Sequence, residues 1–598
     1  MATPDAHSRA EFQRAVGLQV AGRLKEAFEV YQPLLQADAH KADVAANLSI
    51  LCLQIGNRDE AERYGRLAVA TDANHANGWN HLALALNARG AKPEAAAAFQ
   101  RTVELDPKHA PAWFNIGEIR SGQSDMVGAI EAYGRAVRLD PDYTSALVGY
   151  VHRKQQIANW DGLDDALIRL SRRVAGGDEK VDPFALLFCC TDPVELLKAA
   201  HNNAQARRRA AATLWGSELF RHAPRQRDKI RIGYISANFN DHPVGVLICK
   251  CLESHDRTRF EVHCYCHTAN KSGERRERIK RAAGRFTDID NMTDLAVAEM
   301  INRDGIDVLV DLMGYTNGQR LRIFSLRPAP VQVTWLGFAG TVGRDMDYVV
   351  ADPVLIPAGA ERLYLESVVR MPACYQPNEN GYEISAQPMT RAAFGLPEEA
   401  TVFCCFNQTA KITPPIVDLW CQVLRAVPDS VLWLRSFYPA RDENLRAAVR
   451  AGGIDPARLR FAGPVSEPEY LARYGLCDLF LDTFPFSAHA TGSHALFGGC
   501  PLLALPGQTF ASRVSASLLT ALGLNDLIAS SPQDYVAKAT RIGTDAGLRR
   551  ILKERLAAAK QTSPLFDAAR FARDIERAYT VMMDRFNAGE KPAPITLG

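Results

Sequence analysis

The chain has 598 residues, which is too long for one compact core and predicts roughly three or four domains. Its 70 lysines and arginines nearly balance its 68 aspartates and glutamates, so the net charge of +2 argues against nucleic acid and membrane surfaces as partners. The 13 cysteines include no pair of CxxC motifs, which disfavours a zinc site or a disulfide scaffold. No signal-peptide pattern and no apolar run of about 18 residues occurs, so we expect a cytoplasmic location.

A repeat with a period of 34 residues fills the first quarter of the sequence. Trp79 recurs as Trp113, and Gly22 recurs as Gly56 and Gly90. An alanine column keeps the same spacing and consists of Ala27, Ala61, Ala95 and Ala129. Small residues allow two helices to cross closely, and a glycine ends the first helix of each unit, so the pattern resembles tetratricopeptide repeats. About four units predict a superhelical repeat domain over residues 1–143.

The concave groove of such a superhelix is expected to hold extended polypeptide, which makes a protein or a peptide the predicted partner of this domain. Asn47 and Asn115 fall in one repeat column with His81 between them, and their side chains could bind a peptide backbone. Alternatively, the repeats serve only as a spacer or as a surface for homo-oligomer formation. The sequence leaves these uses open.

Beyond the repeats, the sequence predicts a helical adaptor over residues 144–225 and then two domains in which short strands alternate with helices. Strands of the first domain, residues 226–395, are expected at "KIRIGYIS", "EVHCYCH", "IDVLVDL", "VQVTWLG" and "DYVVAD". Strands of the second, residues 396–598 with its closing helices, are expected at "TVFCCFN", "SVLWLRS", "RLRFAG", "LFLD" and "PLLALPG". The predicted fold class is an α-solenoid followed by two Rossmann-like, doubly wound α/β domains, which usually bind a substrate between them.

In such domains the informative residues follow the strands. His242 in "FNDHPVG" comes after the first strand, where it could be a general base or a hydrogen-bonding group at a helix start. The next corners carry Tyr315 and Thr316 in "DLMGYTNG" and Gly337 and Gly340 in "TWLGFAG". Glycines let a backbone approach a ligand closely and their N–H groups suit sugar or phosphate oxygens, so we expect these two loops beside a sugar or a second ligand.

The corners of the second domain favour a diphosphate. The "HATG" of residues 489–492 opens a helix, so its backbone N–H groups and the Thr491 hydroxyl would face a ligand at the helix N-terminus. Lys411 in "FNQTAKI" follows the first strand and is either an ordinary solvated lysine or the cation that compensates such a ligand. Neither a Walker-type loop nor a G-x-G-x-x-G fingerprint is present, which disfavours ATPase and NAD-dependent functions.

Together, "DHPVG", "FNQTAKI", "LDTFPFSAHATG" and "PGQTFASRVSASLL" resemble the family of protein O-N-acetylglucosamine transferases and their Spindly-like relatives. The resemblance extends from the repeats to "TSPLFDAARFARDIERAY" near the C-terminus. It implies a GT-B fold and inverting transfer of N-acetylglucosamine from a nucleotide-sugar donor, UDP-N-acetylglucosamine, to Ser or Thr hydroxyls of intracellular proteins. It also implies that no metal and no other cofactor is required.

The resemblance also implies residue roles. His242 matches a candidate catalytic base, and Lys411 resembles the lysine that neutralises the leaving diphosphate. Gln408 resembles a neighbouring donor contact. Tyr470 falls where animal members place a histidine against the uracil, and Arg473 matches an arginine near the base. Further donor-binding residues are expected at the start of the "HATG" helix, and they are His489, Ala490, Thr491 and His494.

Three positions depart from the family pattern. Asp307 stands where animal members carry a second histidine that was once proposed as catalytic. His494 replaces an acidic residue that is expected to bind ribose hydroxyls, and Ala490 replaces a phosphate-binding threonine. The nucleotide and the sugar therefore stay open, with GDP-fucose transfer to hydroxyls or UDP-glucose transfer to asparagine as alternatives. A scaffold without turnover is disfavoured by the retained lysine, glutamine and histidine.

Overall fold

The computed structural model describes residues 4–36, 40–215, 220–225 and 227–598. The chain forms two compact units, residues 1–154 and residues 155–598. The first unit consists of helices, and the second contains two β-sheets with their covering helices. Within the described ranges, no helix is both long and apolar enough to cross a membrane.

The first unit is a succession of helices joined by short turns. They are α1 (Pro4–Val20), α2 (Leu24–Leu34), α3 (Lys41–Gln54), α4 (Arg58–Thr71), α5 (Ala76–Ala88), α6 (Lys92–Leu105), α7 (Ala110–Gly122) and α8 (Met126–Leu139), and α9 (Thr144–Gln156) follows them in the chain. The alanine column lies in the core, since Ala27, Ala61, Ala95 and Ala129 are each 0% exposed. These side chains leave room for neighbouring helices to pack closely, as the repeat pattern predicts.

The column of Asn47, His81 and Asn115 makes hydrogen bonds inside the repeat unit. The Asn47 amide donates to the Tyr31 hydroxyl (3.2 Å), and His81 Nδ1 lies 2.8 Å from the carbonyl oxygen of Ala46. The Asn115 amide donates to the carbonyl of Pro111 at 2.9 Å. Binding of a peptide backbone by this column stays a prediction, and it would have to compete with these bonds.

The turns between repeat helices adopt a left-handed backbone conformation. Gly22, Gly56 and Gly90 have φ angles of 77°, 84° and 83°. One period later the same place is taken by Ser124, which has a φ of 64°. A residue with a β-carbon is strained in this region, whereas glycine is not.

We expect Ser124→Gly to raise the free energy of unfolding by about 0.5–1 kcal/mol, because the relief of strain exceeds the added freedom of the unfolded chain. Urea denaturation of the full chain would measure the change. Gly90→Ser is the matched reverse substitution and should lower the same free energy. Equal stabilities of Ser124→Gly and the unmodified chain would contradict the assignment of strain to this turn.

The second unit begins with the helices α10 (Leu163–Ala175), α11 (Pro183–Leu186) and α12 (Pro193–Trp215). They occupy the stretch that the sequence identifies as an adaptor. On α12, Arg207 donates to the Asp345 carboxylate through Nη2 at 2.8 Å and through Nε at 3.1 Å. Gly343 lies against the same helix, and a β-carbon added to it would come 2.5 Å from the Cβ of Ala204. The adaptor is thus attached to the α/β domain that follows it.

Eight parallel strands form the first sheet in the order β13-β7-β6-β5-β4-β1-β2-β3, of which β13 (Ile595–Thr596) comes from the end of the chain. Seven of them are β1 (Ile230–Ser236), β2 (Phe260–Cys266), β3 (Arg285–Asp288), β4 (Val308–Asp311), β5 (Val331–Thr334), β6 (Tyr348–Ala351) and β7 (Ser367–Arg370). The intervening helices are α13 (Pro243–Glu253), α14 (Glu274–Ala282), α15 (Asp294–Asp304) and α16 (Arg322–Ser325). Strand β1 pairs with β2 on one side and with β4 on the other, so the strand order reverses at β1.

The second sheet has five parallel strands in the order β10-β9-β8-β11-β12. They are β8 (Thr401–Cys405), β9 (Ser430–Arg435), β10 (Leu459–Ala462), β11 (Leu479–Leu481) and β12 (Leu502–Leu503). The helices that follow its strands are α17 (Pro414–Ala426), α18 (Pro439–Ala451), α19 (Glu467–Arg473), α20 (Ala490–Phe497) and α21 (Phe510–Ala521). Here the strand order reverses at β8, which pairs with β9 and with β11.

The last elements are α22 (Pro532–Thr544), α23 (Ala546–Thr562), α24 (Ala568–Asn587) and β13 (Ile595–Thr596). The sequence interpretation assigned all of them to the second domain, and the structure differs for α24 and β13. Phe571 of α24 stacks on Trp335 with ring centroids 5.4 Å apart, and β13 pairs with β7. His255 Nδ1 also lies 2.8 Å from Glu576 Oε1. The buried apolar face of α24 therefore packs against the first sheet.

Candidate active site

A cavity of about 980 Å³ lies at the carboxyl ends of strands from both sheets. The loops after β1, β8, β9 and β10 contribute to its wall, together with the start of α20. Since β1 and β8 are the strands at which the order reverses in each sheet, the loops after them open into the crevices where doubly wound folds bind ligands.

His242 lies in the wall of this cavity and begins α13 as its N-cap. Its Nδ1 accepts a hydrogen bond from the backbone N–H of Val244 at 3.2 Å. Desolvation lowers the pKa of this histidine to about 4, so the imidazole is neutral at pH 7 and carries its proton on Nε2. In this tautomer Nε2 is a hydrogen-bond donor. The geometry matches the helix-start alternative, and a general base would first require release of the Val244 bond.

Lys411 ends a single 3₁₀ turn, Thr409–Lys411, after β8. Its side chain is buried, with 8% exposed, and does not lie in the cavity wall. The ammonium donates to the carbonyl of Ser487 at 2.8 Å and lies 3.9 Å from the ring centroid of Phe486. Burial lowers the pKa of Lys411 to about 7, against the opposing attraction of Asp482. Lys411 is therefore not an ordinary solvated loop lysine.

Asp482 is a central residue of the loop around Lys411, and the sequence reasoning missed it. It is fully buried, and its Oδ1 accepts the backbone N–H groups of Thr483 at 2.8 Å and of Ala488 at 2.7 Å. Burial raises the pKa of Asp482 to about 6, so it is ionised at pH 7 and supplies a negative charge to the lysine. An aspartate directly after the strand "LFL" was the available signal.

Gln408, Tyr470 and Arg473 lie in the cavity wall, as the resemblance implies for donor contacts. Gln408 is exposed. The Tyr470 hydroxyl lies 2.6 Å from that of Tyr474, which fixes the ring, and Arg473 donates to the carbonyl of Gly463 at 2.8 Å. These three residues bring one amide, one aromatic face and one guanidinium group to the same cavity.

Some residues at the start of α20 lie in the cavity wall, and others lie in the protein interior. Ala490, Thr491 and His494 line the cavity, whereas His489 lies against the Phe486 ring with centroids 4.7 Å apart. The pKa of His494 falls to about 4 because the side chain is buried, so the ring is neutral at pH 7. Among the described residues, His494 Nε2 finds no hydrogen-bond partner. A neutral histidine therefore stands where the family pattern has an acidic residue.

The two glycine-containing loops of the first domain contact each other and the adaptor. The Tyr315 hydroxyl donates to the carbonyl of Val342 at 2.6 Å and also lies 3.2 Å from the carbonyl oxygen of Ala200. The Thr316 hydroxyl donates to the Met313 carbonyl at 2.7 Å.

Both glycines of these loops lie at crowded places. A β-carbon on Gly337 would come 2.0 Å from the Leu312 carbonyl, and one on Gly340 would come 3.1 Å from the Phe338 ring. Neither glycine lies in the cavity wall, and the same is true of Tyr315 and Thr316. Their contact with an acceptor or a sugar stays a prediction. The hydrogen bonds and close approaches show that all four residues stabilise the packing of these loops.

Asp307 lies at the opposite edge of the first sheet from the cavity, since it directly precedes β4. Its Oδ2 accepts the backbone N–H of Arg231 at 2.9 Å, and the side chain is buried. This position is therefore structural. The absence of a histidine there removes no group from the cavity.

Several cavity residues escaped sequence reasoning. Arg275 of α14 donates to both carboxylate oxygens of Glu467 on α19, with a shortest distance of 3.0 Å, and this ion pair joins the two α/β domains beside the cavity. Tyr382 and Arg435 also line it. Tyr382 belongs to a stretch without clear periodicity, and Arg275 belongs to a charged helix that looks solvent-exposed in sequence. Among the described residues, no cluster of His, Cys, Asp and Glu has the arrangement of a metal site.

Comparisons with known proteins agree with this architecture. The family described as Glycosyl transferase family 41 matches residues 216–382 and 378–575, and the family described as Tetratricopeptide repeat matches residues 110–143. A solved structure of a Thermobaculum terrenum O-GlcNAc transferase mutant is similar with a TM-score of 0.68 and 29% identity, over 92% of this chain and 99% of that chain. The fold class and the family resemblance predicted from the sequence are thereby confirmed.

Curated proteins give the same grouping. An Arabidopsis thaliana protein named probable UDP-N-acetylglucosamine–peptide N-acetylglucosaminyltransferase SEC is 35% identical over 427 residues, which cover 69% of this chain and 44% of that protein. A Caenorhabditis elegans UDP-N-acetylglucosamine–peptide N-acetylglucosaminyltransferase is 28% identical over 474 residues, covering 60% of this chain and 41% of that protein. The chain spans less than half the length of these relatives.

Proposed function

The chain belongs to glycosyl transferase family 41, and from this premise we propose that it transfers N-acetylglucosamine from UDP-N-acetylglucosamine to Ser and Thr hydroxyls of proteins. The observation that carries the proposal is that one cavity lies at the points where the strand order reverses in both sheets. It brings Gln408, Tyr470, Arg473 and Thr491 of the second domain together with His242 of the first. A two-domain cleft of this kind suits a donor with a base at one end and a sugar at the other.

In the proposed complex, the second domain holds the nucleotide. The Tyr470 ring stacks on the base, and Arg473 lies near it. The diphosphate sits at the N-terminus of α20, where it accepts hydrogen bonds from backbone N–H groups and from the Thr491 hydroxyl. Gln408 contacts the donor from the neighbouring loop. Each of these groups is supplied by an element that follows a strand of the second sheet.

The proposed reaction is a single displacement with inversion at the anomeric carbon. The acceptor oxygen forms a bond to that carbon, and the bond from the carbon to the diphosphate oxygen breaks with its electron pair on the diphosphate. Lys411 neutralises the charge that develops on the leaving diphosphate. His242 orients the acceptor hydroxyl through Nε2–H, and the hydroxyl proton passes to another acceptor or to solvent.

The repeat unit is proposed to bind the protein acceptors, as superhelical repeats commonly do. All 13 cysteines are free thiols, which supports an intracellular setting for these acceptors. Homo-oligomer formation through the repeats is the alternative use of the same surface. Size measurement of the chain in solution, alone and with acceptor peptides, separates the two uses.

A panel of nucleotide sugars tests the donor. We expect release of nucleoside diphosphate to be fastest with UDP-N-acetylglucosamine. A preference for GDP-fucose would replace the proposal by O-fucosyl transfer. A preference for UDP-glucose, with a product that resists base-catalysed elimination, would replace it by N-glucosyl transfer. Absence of release with every donor, from folded protein, would favour a scaffold without turnover.

The Lys411 ammonium makes donor capture dependent on pH. Burial places its pKa near 7, so it is charged below that pH and neutral above it. We expect kcat/KM for the donor to fall as the pH rises through about 7. Lys411→Arg should keep its charge and flatten this fall, because a guanidinium titrates only above about pH 12. Initial rates across the neutral range measure the profile, and an identical fall in Lys411→Arg would contradict the assignment.

A further inference from the structure

The adaptor reaches the loop that holds Lys411. Phe188, two residues beyond α11, is 1% exposed and packs on Phe486 with ring centroids 5.1 Å apart. Phe486 is itself 7% exposed, and its ring is the one that lies 3.9 Å from the Lys411 ammonium. The next residue, Ser487, supplies the carbonyl that accepts a hydrogen bond from this ammonium. One adaptor side chain therefore touches the residue that contacts the lysine.

The adaptor is attached on both sides of this contact. It is joined to the first α/β domain by the buried ion pair between Arg207, on α12, and Asp345, in the loop between β5 and β6. It also meets the second domain at α18, where the Asn444 amide donates to the carbonyl of Ile157 at 2.8 Å. Because both ends of the adaptor are fixed, Phe188 is held in place against Phe486.

We propose that Phe188 is a positioning residue for the Lys411 ammonium and acts through the ring of Phe486. This inference rests on the role of Lys411 in the proposed function. The Phe486 ring offers a cation–π contact and excludes water from the ammonium. The ring has Phe188 as a supporting neighbour. A cavity at position 188 would let the ring turn away and admit water, so the ammonium would lose both its direction and its dry surroundings.

The titratable groups around Lys411 determine how its pKa responds to a substitution at position 188. Cys405, at the end of β8, and Asp482, directly after β11, act on the ammonium, and His489 faces it from the start of α20. None of these groups is on the adaptor. A change at position 188 therefore acts on the lysine through packing and hydration, and it adds or removes no charge.

Steady-state kinetics of the full chain test the inference. We expect Phe188→Ala to lower kcat by about 10- to 100-fold, because a reacting group displaced by about 1 Å loses this much. The fall of kcat/KM at high pH should move upward by about one pH unit, because the ammonium becomes hydrated. Phe188→Leu keeps apolar bulk and should recover most of both losses. Phe571→Ala removes a core aromatic of α24 and serves as the control for general destabilisation, with an unmoved pH profile.

A second measurement needs no turnover and separates this inference from the proposed function. Acylation of Lys411 by a small anhydride, followed by mass mapping of the peptide, reports the exposure and ionisation of the amine. We expect at least about tenfold faster labelling in Phe188→Ala than in the unmodified chain at a pH well above the pKa of Lys411 in both proteins, because the amine is then neutral in both and hydration alone decides the access of the reagent. Phe571→Ala should label like the unmodified chain.

Unchanged labelling together with an unmoved pH profile in folded Phe188→Ala would overturn the positioning role. The positioning role would also be overturned if Phe571→Ala moved the pH profile of kcat/KM as far as Phe188→Ala does, because the shift would then reflect general destabilisation of the fold. If Phe188→Ala does not fold, Phe188→Val takes its place, because it also removes the ring but leaves a smaller cavity; accelerated labelling then supports the role, and labelling identical to that of the unmodified chain overturns it. Absence of turnover with all donors would remove the proposed function and leave the labelling result standing.

Discussion

Lys411→Ala is expected to lower kcat by about 10²- to 10³-fold, because the charge that develops on the leaving diphosphate would lose the ammonium proposed to neutralise it in a partly dry cleft. The structure supports a large effect. Lys411 is 8% exposed, donates a hydrogen bond to the Ser487 carbonyl and interacts with the buried Asp482. An ammonium held in this way stabilises charge without first being stripped of water.

Initial rates with saturating donor measure this loss, and a tryptophan-fluorescence unfolding curve checks that the variant is folded. Lys538→Ala is the matched control, because Lys538 also donates to a backbone carbonyl, that of Ile528 at 2.7 Å, but belongs to no loop that lines the cavity, whereas Lys411 follows Gln408 in such a loop. It should retain nearly full turnover. Turnover of Lys411→Ala within about twofold of the unmodified chain would remove this lysine from the mechanism.

The second large effect concerns stability. Asp345→Ala is expected to lower the free energy of unfolding by about 3–5 kcal/mol, because it leaves the Arg207 guanidinium buried without its carboxylate. The two side chains are 6% and 3% exposed, and the carboxylate also accepts a hydrogen bond from the Ser325 hydroxyl at 3.0 Å. Removal of this one acceptor therefore affects both the adaptor and the first α/β domain.

Urea denaturation measures the loss, and a surface pair gives the comparison. Glu554→Ala breaks the exposed pair with Arg550, whose side chains are 70% and 61% exposed for arginine and glutamate, and it should cost less than about 1 kcal/mol. The double variant Arg207→Met with Asp345→Leu should recover part of the loss, since no charge is left unpaired. A loss for Asp345→Ala no larger than that for Glu554→Ala would show that the buried pair is not a main support of the adaptor.

The sequence predicted the repeats and the strands with apolar runs because these patterns are local. The small-residue column of the repeat appears as fully buried alanines, and "TVFCC" forms the central strand β8. The strands that sequence reasoning missed are β3, β7 and β13. Strand β3, "RFTD", has charged ends and an edge position, and β13 has only two residues. Such strands are set by their neighbours rather than by their own composition.

The candidate site was predictable where a residue follows a strand at a reversal point. His242 and Gln408 satisfy this condition, and both line the cavity. The order of strands cannot be read from one sequence, however, so the loop carrying Tyr315 looked equivalent to them. That loop follows β4, and its tyrosine is bonded to backbone carbonyls of the adaptor and of the next loop. The position of a loop in the fold, rather than its local sequence pattern, decides whether it stabilises neighbouring loops or lines the ligand cavity.

Burial of polar groups was also beyond the sequence. Lys411 and Asp482 are interior residues, and their pKa values shift toward each other because each is desolvated. Phe188 lies more than two hundred positions from Lys411 in the chain, and only the packing of the adaptor brings it near. Long-range contacts of this kind leave no periodic signal.

The most direct test of the account is the mass of an acceptor after incubation with UDP-N-acetylglucosamine and the full chain. Two peptides suffice, one with a central threonine and one with valine, which has the same shape and no hydroxyl. We expect the threonine peptide alone to gain the mass of one N-acetylhexosamine, and Lys411→Ala to abolish the gain at equal times. A folded chain that leaves both peptides unchanged and releases no UDP, or that attaches a hexose or deoxyhexose from other donors instead, would contradict the account.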